Sequence, residues 1–293
     1  MLLLGVYALA QGSQGENDAL VAVGAFAFSV FIVGIVWPII AMRDVDVDVV
    51  GPRDATVGDR ISLALRLTGR VSRLEVRLLD PPGEWRRTVA PASGELVHIA
   101  ARRGVFRLVR IEVRTGGPLG IFLRRRTVWV RLAVPVSVAP RAAAVQYEPH
   151  VLPLGLATAI SARSGVPGGD SVRAVRPYAA GDSARLVHWP TSARTGELAV
   201  RELEPPAIDG IAIAVDLRGP DAAAEAAASR AAGLGRAALR SGAHVVLLTC
   251  EASGPVVAPV AGPLELGRRL ARSVPGAPPP APDGWPTTTV MAE

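Results

Sequence analysis

A chain of 293 residues that is 49% hydrophobic has enough apolar material for more than one folded core, which excludes a disordered composition. Its formal charge of +6 is carried by arginine alone, because no lysine occurs, and only 4% of residues are aromatic. Stacking platforms for bases are therefore scarce, the arginines alternate with apolar residues as on a solvated sheet face, and nucleic acid is not an expected partner.

The single cysteine, Cys250, cannot form an internal disulfide, and with four scattered histidines it gives no zinc-ligand spacing. A reducing compartment is the simplest reading.

The first element is apolar. Residues 19–42, ALVAVGAFAFSVFIVGIVWPIIAM, carry no charge. As a helix they would extend about 36 Å, enough to cross a bilayer with some tilt. A cleaved signal peptide fits less well, because no basic leader precedes an apolar run of this length. Residues 1–10 are also apolar but reach only about half as far, and could be the remainder of a first span joined through a polar loop. That loop holds Glu16 and Asp18, whereas Arg43, Arg53 and Arg60 follow the long span. The positive-inside rule then puts the rest of the chain in the cytoplasm.

From residue 43 to 141 the hydrophobic period becomes two. ISLALRL places Ile61, Leu63, Leu65 and Leu67 on one face, and RLEVRLL, ELVHIA, VFRLVRIEVR and TVWVRLAVPVSV follow between turn residues. Short strands at this spacing predict an immunoglobulin-like β-sandwich without its disulfide. No residue pattern in it points to catalysis.

Residues 142–273 have a different pattern. After a connecting stretch, SVRAVRPY and ELAVRELE read as strands and GIAIAVDL as a buried one. PDAAAEAAASRAAGLGRAALRSG reads as a helix, with Asp221 at its start, Arg236 and Arg240 in its last turn and Gly242 just beyond. AHVVLLTC returns as a second buried strand, which predicts a parallel βαβ unit, and PLELGRRLARSV a final helix. The Pro-rich residues 274–293 are expected to be disordered.

Between the first two of these strands lies YAAGDSARLVHWPTSART, residues 178–195. Gly181 and Asp182 read as a turn into a short helix with Asp182 as its cap, and Pro190 is expected to end that helix at Trp189. Asp182 and His188 would then sit about 120° apart around the axis, and Ser183 and His188 about 140° apart, so no Asp-His-Ser relay forms within the segment. A hydrolase using His188 would need a serine from elsewhere, and no G-x-S-x-G elbow occurs. The plain expectation is a buried Trp189 and Tyr178, with Asp182 and an arginine holding the turn.

This segment resembles the bacterial family known as domain of unknown function 58. Arg176, Tyr178, Gly181, Asp182, Arg185, Trp189, Ser192, Ala193 and Arg194 follow one another in the family's order, with His188 among them, and a strand comes next. Upstream, RRGVFRLVRIEVRTGGPLGIF resembles the β-domain of such proteins, including its Pro-Leu-Gly-Ile-Phe turn. The resemblance implies a membrane hairpin, a carboxyl half similar to a von Willebrand factor type A domain, here truncated, and a MoxR-type AAA ATPase as partner.

A type A domain holds Mg²⁺ at the end of its first strand through Asp-x-Ser-x-Ser, since a hard cation takes oxygen ligands. Here Asp216 supplies the carboxylate, but Arg218 and Pro220 occupy the hydroxyl positions. No tight metal site and no cofactor are expected, and the stretch RSGVPGGD lacks the Gly-Lys-Ser/Thr of a phosphate loop. The whole reads as a multidomain α/β plus all-β protein: membrane anchor, β-sandwich, type A-like domain. The expected function is a non-enzymatic adaptor at the cell membrane, with Asp216 and Arg218 as candidate partner contacts. The alternatives are a metal-dependent type A binding module and a hydrolase using His188.

Overall fold

Helix α1 (Asp18–Ala41) is apolar on every side, so no face of it is favoured for burial. Val23, Phe26, Trp37 and Ile40 each stay more than half exposed. A helix of this kind is long and apolar enough to cross a membrane, as an anchor or as a signal sequence. The computed structural model describes residues 18–80, 83–116, 120, 122–164, 172–203 and 207–292. Residues 1–10 and the polar residues 11–17 lie outside these, as do the glycine-rich stretch 165–170 and Pro118, Leu119 and Ile121 of the Pro-Leu-Gly-Ile-Phe turn. The chain divides into two units, Met1–Ala139 and Pro140–Glu293.

The first unit continues from α1 into β1 (Asp46–Val50), β2 (Asp54–Thr56), β3 (Arg60–Leu78), β4 (Arg86–Ile99), β5 (Gly104–Thr115) and β6 (Arg124–Ala139). They form a sheet in the order β1-β3-β5-β6-β2, with β4 also on β3. Period-two patterning does what the sequence predicts: Leu63, Leu65 and Leu67 are buried, with Val47, Val49, Ile111, Val113 and Val136 in the same core. Strand β3 changes partner along its length, pairing with β1 at Ala64–Thr68 and with β5 at Glu75–Leu78. Its register against β4 breaks between Leu67 and Val71. Gly69 sits in this break at φ 111°, where a Cβ would lie 2.7 Å from the Asp44 carbonyl oxygen, so only glycine fits.

Several arginines of this unit meet carboxylates or rings. Glu75 accepts from Arg87 and Arg114, and Arg77 pairs with Glu112 at 2.7 Å. The Arg77 and Arg114 guanidinium groups stack on Trp85, 4.5 and 3.9 Å from its centroid. Part of the positive charge is thus balanced on the sheet face.

In the second unit, helix α2 (Leu154–Ser164) occupies part of what reads in sequence as a connection. Strands β7 (Val172–Pro177) and β8 (Ala199–Leu203) form an antiparallel ribbon, with a 3-10 turn (Ala184–Leu186) and helix α3 (Trp189–Thr195) between them. Then come β9 (Gly210–Asp216), α4 (Asp221–Arg240), β10 (His244–Glu251), β11 (Gly254–Val260), α5 (Pro263–Arg272) and β12 (Thr287–Met291). The sheet order is β11-β10-β9-β12, with β10 and β12 both parallel to β9 and β11 antiparallel to β10. The expected parallel strand-helix-strand unit is therefore present, and β9 is buried along its whole length.

Helix α4 packs through small residues. Ala227, Ala228, Ala231 and Ala238 are fully buried. At Gly233 a Cβ would lie 2.2 Å from the Ala143 carbonyl oxygen, so the 140s segment runs directly on the helix backbone.

The tail differs from the disorder expected of residues 274–293. Its end forms β12, registered on β9 from Thr287 opposite Ala212 to Met291 opposite Asp216. The physical reason lies in the sheet. Helices α4 and α5 join the core on one face, while Ala212, Ala214, Val246 and Leu248 face the other, where Ala281 and Trp285 of the Pro-rich segment cover them. Proline content signals extended backbone, and here that backbone is used as a strap.

Candidate functional site

Two places carry the residues singled out by sequence. The first is the segment between β7 and β8. Arg176, on β7, donates from Nη1 and Nη2 to the two oxygens of Asp182 at 2.8 and 2.7 Å. Asp182 also accepts from the Ala179 amide at 2.8 Å. Hydrogen bonds from Arg176 and from that amide hold its carboxyl below the usual aspartate range. Gly181 closes the turn at φ 107°. Asp182 thus braces the turn but does not cap the helix, since the following 3-10 turn has Ser183 at its cap position and no side-chain bond there.

His188 takes the capping role instead. Its Nδ1 lies 2.8 Å from Thr191 Oγ1 and accepts from the Thr191 amide at 3.3 Å. Pro190 therefore starts α3 where the sequence reading had it end a helix. A proline in the first turn loses no intrahelical bond, and its φ suits the helix. Ser192 is buried and pins α3 to β8, accepting from the Ala199 amide at 2.9 Å and donating to the His188 carbonyl at 3.1 Å. Gly196, in left-handed geometry, ends α3.

This geometry corrects the expected burial of the aromatic pair. Trp189 is 67% exposed and Tyr178 41%. Helix α3 rests on β8 through Ser192, with Val187, Ala199 and Val200 buried, while Trp189 at the start of the helix stays on the solvent side. Arg185, Ala193 and Arg194 are also exposed. Among the described residues no serine hydroxyl is hydrogen-bonded to the His188 ring, so the structure does not bring together the pair that a hydrolase reading needs.

The second place is the carboxyl edge of the parallel strands, where Asp216 ends β9 beside Cys250 and Glu251 at the end of β10. Arg218 folds back on Asp216. Its Nε lies 3.0 Å from Oδ1, its Nη2 2.6 Å from Oδ2, and its amide donates to Oδ1 at 3.0 Å. The Arg218 guanidinium holds the Asp216 carboxyl below the usual range, against the effect of burial. The carboxylate is buried while the Arg218 side chain is 63% exposed. A type A-like Mg²⁺ does not fit these residues, because both carboxylate oxygens are already engaged by a cation and Arg218 and Pro220 supply no ligand oxygen. Among the described residues no group of three or more histidine, cysteine or acidic side chains is placed to hold a metal. Arg218, a candidate partner contact by sequence, forms an internal pair with Asp216 while its side chain stays largely exposed.

Sequence reasoning missed three features. Glu251, beside Cys250, pairs with Arg272 at 3.1 Å and with Arg269 at 3.5 Å. Arg269 is only 3% exposed and also reaches Thr249 Oγ1 at 3.1 Å. Asp209 accepts from the Tyr147 hydroxyl and the His150 amide, each at 2.7 Å, and burial with this acceptor raises the Tyr147 pKa. The first unit contains a cavity of ≈ 510 Å³ walled by Leu63, Phe106, Leu132 and Val136, with His98 and Arg110 also lining it. Long-range pairings and a gap between sheet faces leave no local mark in sequence.

No curated protein matches the chain at a significant level. The PKD domain of an M14-like peptidase from Thermoplasmatales archaeon SCGC AB-540-F20 is similar over 29% of this chain and 91% of its own, at 16% identity and a TM-score of 0.22. Residues 174–289, from the braced turn through the parallel strands to β12, match the profile of the family described as "Protein of unknown function DUF58", so this segment is similar to that family.

Proposed function

We propose that the protein is a membrane-anchored adaptor or scaffold with no catalytic chemistry of its own, acting with a MoxR-type AAA ATPase on an envelope-associated complex. The observation that carries this reading is the closure of Asp216 by Arg218, which fills the one position where the type A architecture would otherwise bring metal chemistry. The sheet order β11-β10-β9-β12, with a helix crossing between parallel strands, supports a truncated type A-like domain. The alternating core of the first unit supports an immunoglobulin-like sandwich. Anchoring by α1 rests on its length and its uncovered apolar surface, and a cytoplasmic position on the arginines that follow it. The ATPase partnership rests on the family resemblance.

An adaptor needs a recognition surface, and the exposed Trp189, Tyr178 and neighbouring arginines are the residue types that dominate binding energy at interfaces. Affinity capture of the full chain from detergent-solubilised membranes, with and without ATP, tests the proposal. An AAA ATPase enriched by wild-type bait and lost with Trp189→Ala is the expected result. Capture that brings down no ATPase in either condition would remove the partnership.

A further inference from the structure

The loop joining β5 to β6, residues 116–123, is GGPLGIFL, without a charge, and Arg124, Arg125 and Arg126 follow it directly. Its described residues are Gly116, Gly120, Phe122 and Leu123. A turn closes it, with the Gly120 amide donating to the Gly116 carbonyl at 3.0 Å and Gly120 at φ 66°. Leu123 is 60% exposed and Phe122 37%.

One contact sets this loop against α1, and a second ties the strand that follows it to the chain just beyond the helix. The Phe122 ring meets the Phe31 ring edge to face, centroids 5.3 Å apart and planes at 87°. Arg126 Nη1 donates to the carbonyls of Met42 and Val45 at 3.0 and 3.3 Å, where the chain leaves the helix. From Arg126 to Phe122 the chain therefore runs back along α1, away from its exit. Phe31 lies about 15 Å along the axis from Ala41, and about 9 Å from Trp37, at 1.5 Å per residue. Tryptophan favours the membrane interface, so a level about 9 Å inward of Trp37 is acyl-chain depth.

We propose that Phe122 and Leu123, at the described end of this loop, form a second membrane-inserting element. Phe122 and Leu123 enter the acyl region of the near leaflet beside α1, and Arg124 and Arg125 meet the lipid phosphates. The inference rests on reading α1 as a transmembrane helix. Lipid is the fitting occupant because an uncharged tip followed at once by a run of arginines matches the bilayer's own profile, hydrocarbon and then anionic headgroups. Irregular backbone is tolerated there only when its peptide groups have partners. The Gly120–Gly116 bond provides one, and the insertion involves the Phe122 and Leu123 side chains. A loop of this kind would fix the orientation of the first unit on the membrane, which one helix alone leaves free to swivel.

Depth measurement by spin labelling tests this on the full chain, carrying Cys250→Ser, in vesicles of phosphatidylcholine and phosphatidylglycerol. Nitroxides are placed separately through Leu123→Cys on the loop, Val33→Cys on α1 and Val97→Cys on β4, and accessibility to oxygen and to a water-soluble nickel chelate is read for each. The expected result is a Leu123 label with nickel accessibility several-fold below that of Val97 and oxygen accessibility close to that of Val33. A Leu123 label as open to nickel as Val97, with Val33 protected, overturns the inference and leaves the anchor standing. A Leu123 label shielded from both reagents means a protein cover in place of lipid and overturns it as well. Nickel access at both Leu123 and Val33 overturns the transmembrane reading, and the inference with it.

Discussion

Arg218 stands two residues beyond Asp216 and turns its guanidinium back onto the carboxylate, with Nη2 2.6 Å from Oδ2. The pair has two consequences that can be measured. With both oxygens engaged, titration calorimetry of the wild type should show no micromolar Mg²⁺ binding, and partner capture should survive EDTA apart from any need of the ATPase itself. Because each side chain holds the other, Asp216→Ala and Arg218→Ala should weaken capture to a similar degree.

The same pair sets a pH dependence. The folded-state carboxyl of Asp216 lies below its ordinary value because of Arg218. Its stabilising contribution is therefore fully present above the ordinary aspartate range and is lost as pH falls through the depressed value. Arg218→Ala removes this shift, so the acid-unfolding midpoint followed by circular dichroism should move to higher pH. Superimposable acid limbs for wild type and variant would show that the pair is absent in solution.

Exposure of Trp189 reverses the usual expectation for a tryptophan in a signature motif. Trp189→Ala should change stability by only about 0.5 kcal/mol, as surface substitutions do. Ser192→Ala should cost about 1 to 3 kcal/mol, because the buried Ala199 amide loses its acceptor. Thermal melts of the two variants decide this. A Trp189→Ala protein that melts far below Ser192→Ala would mean that the indole is covered after all.

Residues 276–293 should be structural. Removing them takes away β12 and uncovers Ala212, Ala214, Val246 and Leu248, so the truncated chain should be insoluble or readily cleaved by protease in the second unit. Trp285→Ala, a milder change at a half-buried ring, should cost about 1 to 3 kcal/mol, less than a fully buried aromatic truncation. An unchanged melting temperature on truncation would restore the disordered tail.

Much of the fold was legible because its signals are local. The apolar run of α1, the period-two leucines of β3 and the uninterrupted apolar run of β9 each predict their element from neighbouring residues alone. The parallel strand-helix-strand unit follows from the same kind of signal. What escaped depends on partners distant in sequence. The strand character of Thr287–Met291 comes from an open edge on β9, which Pro-rich composition cannot report. The exposure of Trp189 comes from the way α3 rests on β8 through Ser192, a long-range contact, and residue type alone pointed the other way. His188 had a reading as a catalyst and another as an ordinary residue. Its capping bond to Thr191 is a three-residue relation within the sequence, and Pro190 stands in the first turn of that helix, where a proline starts a helix and does not end it.

The anchor itself gives the last prediction. If α1 spans the bilayer, the full chain should resist carbonate extraction and need detergent for release, since the helix exposes apolar side chains along its whole length. Deleting residues 1–42 removes this element together with one acceptor of Arg126, the Met42 carbonyl. The remaining chain should be recovered from the soluble fraction and should bind vesicles only weakly. A short apolar tip with a few basic residues gives marginal, reversible attachment, and stable anchoring takes a second signal. That residual binding should fall with rising salt, as attraction between arginines and anionic headgroups is screened within about 10 Å at 0.1 M. Phe122→Ser should abolish it at any salt. Full-length protein released by carbonate would remove the anchor, whereas vesicle binding by the truncated chain that is indifferent to both salt and Phe122→Ser would assign it to another surface.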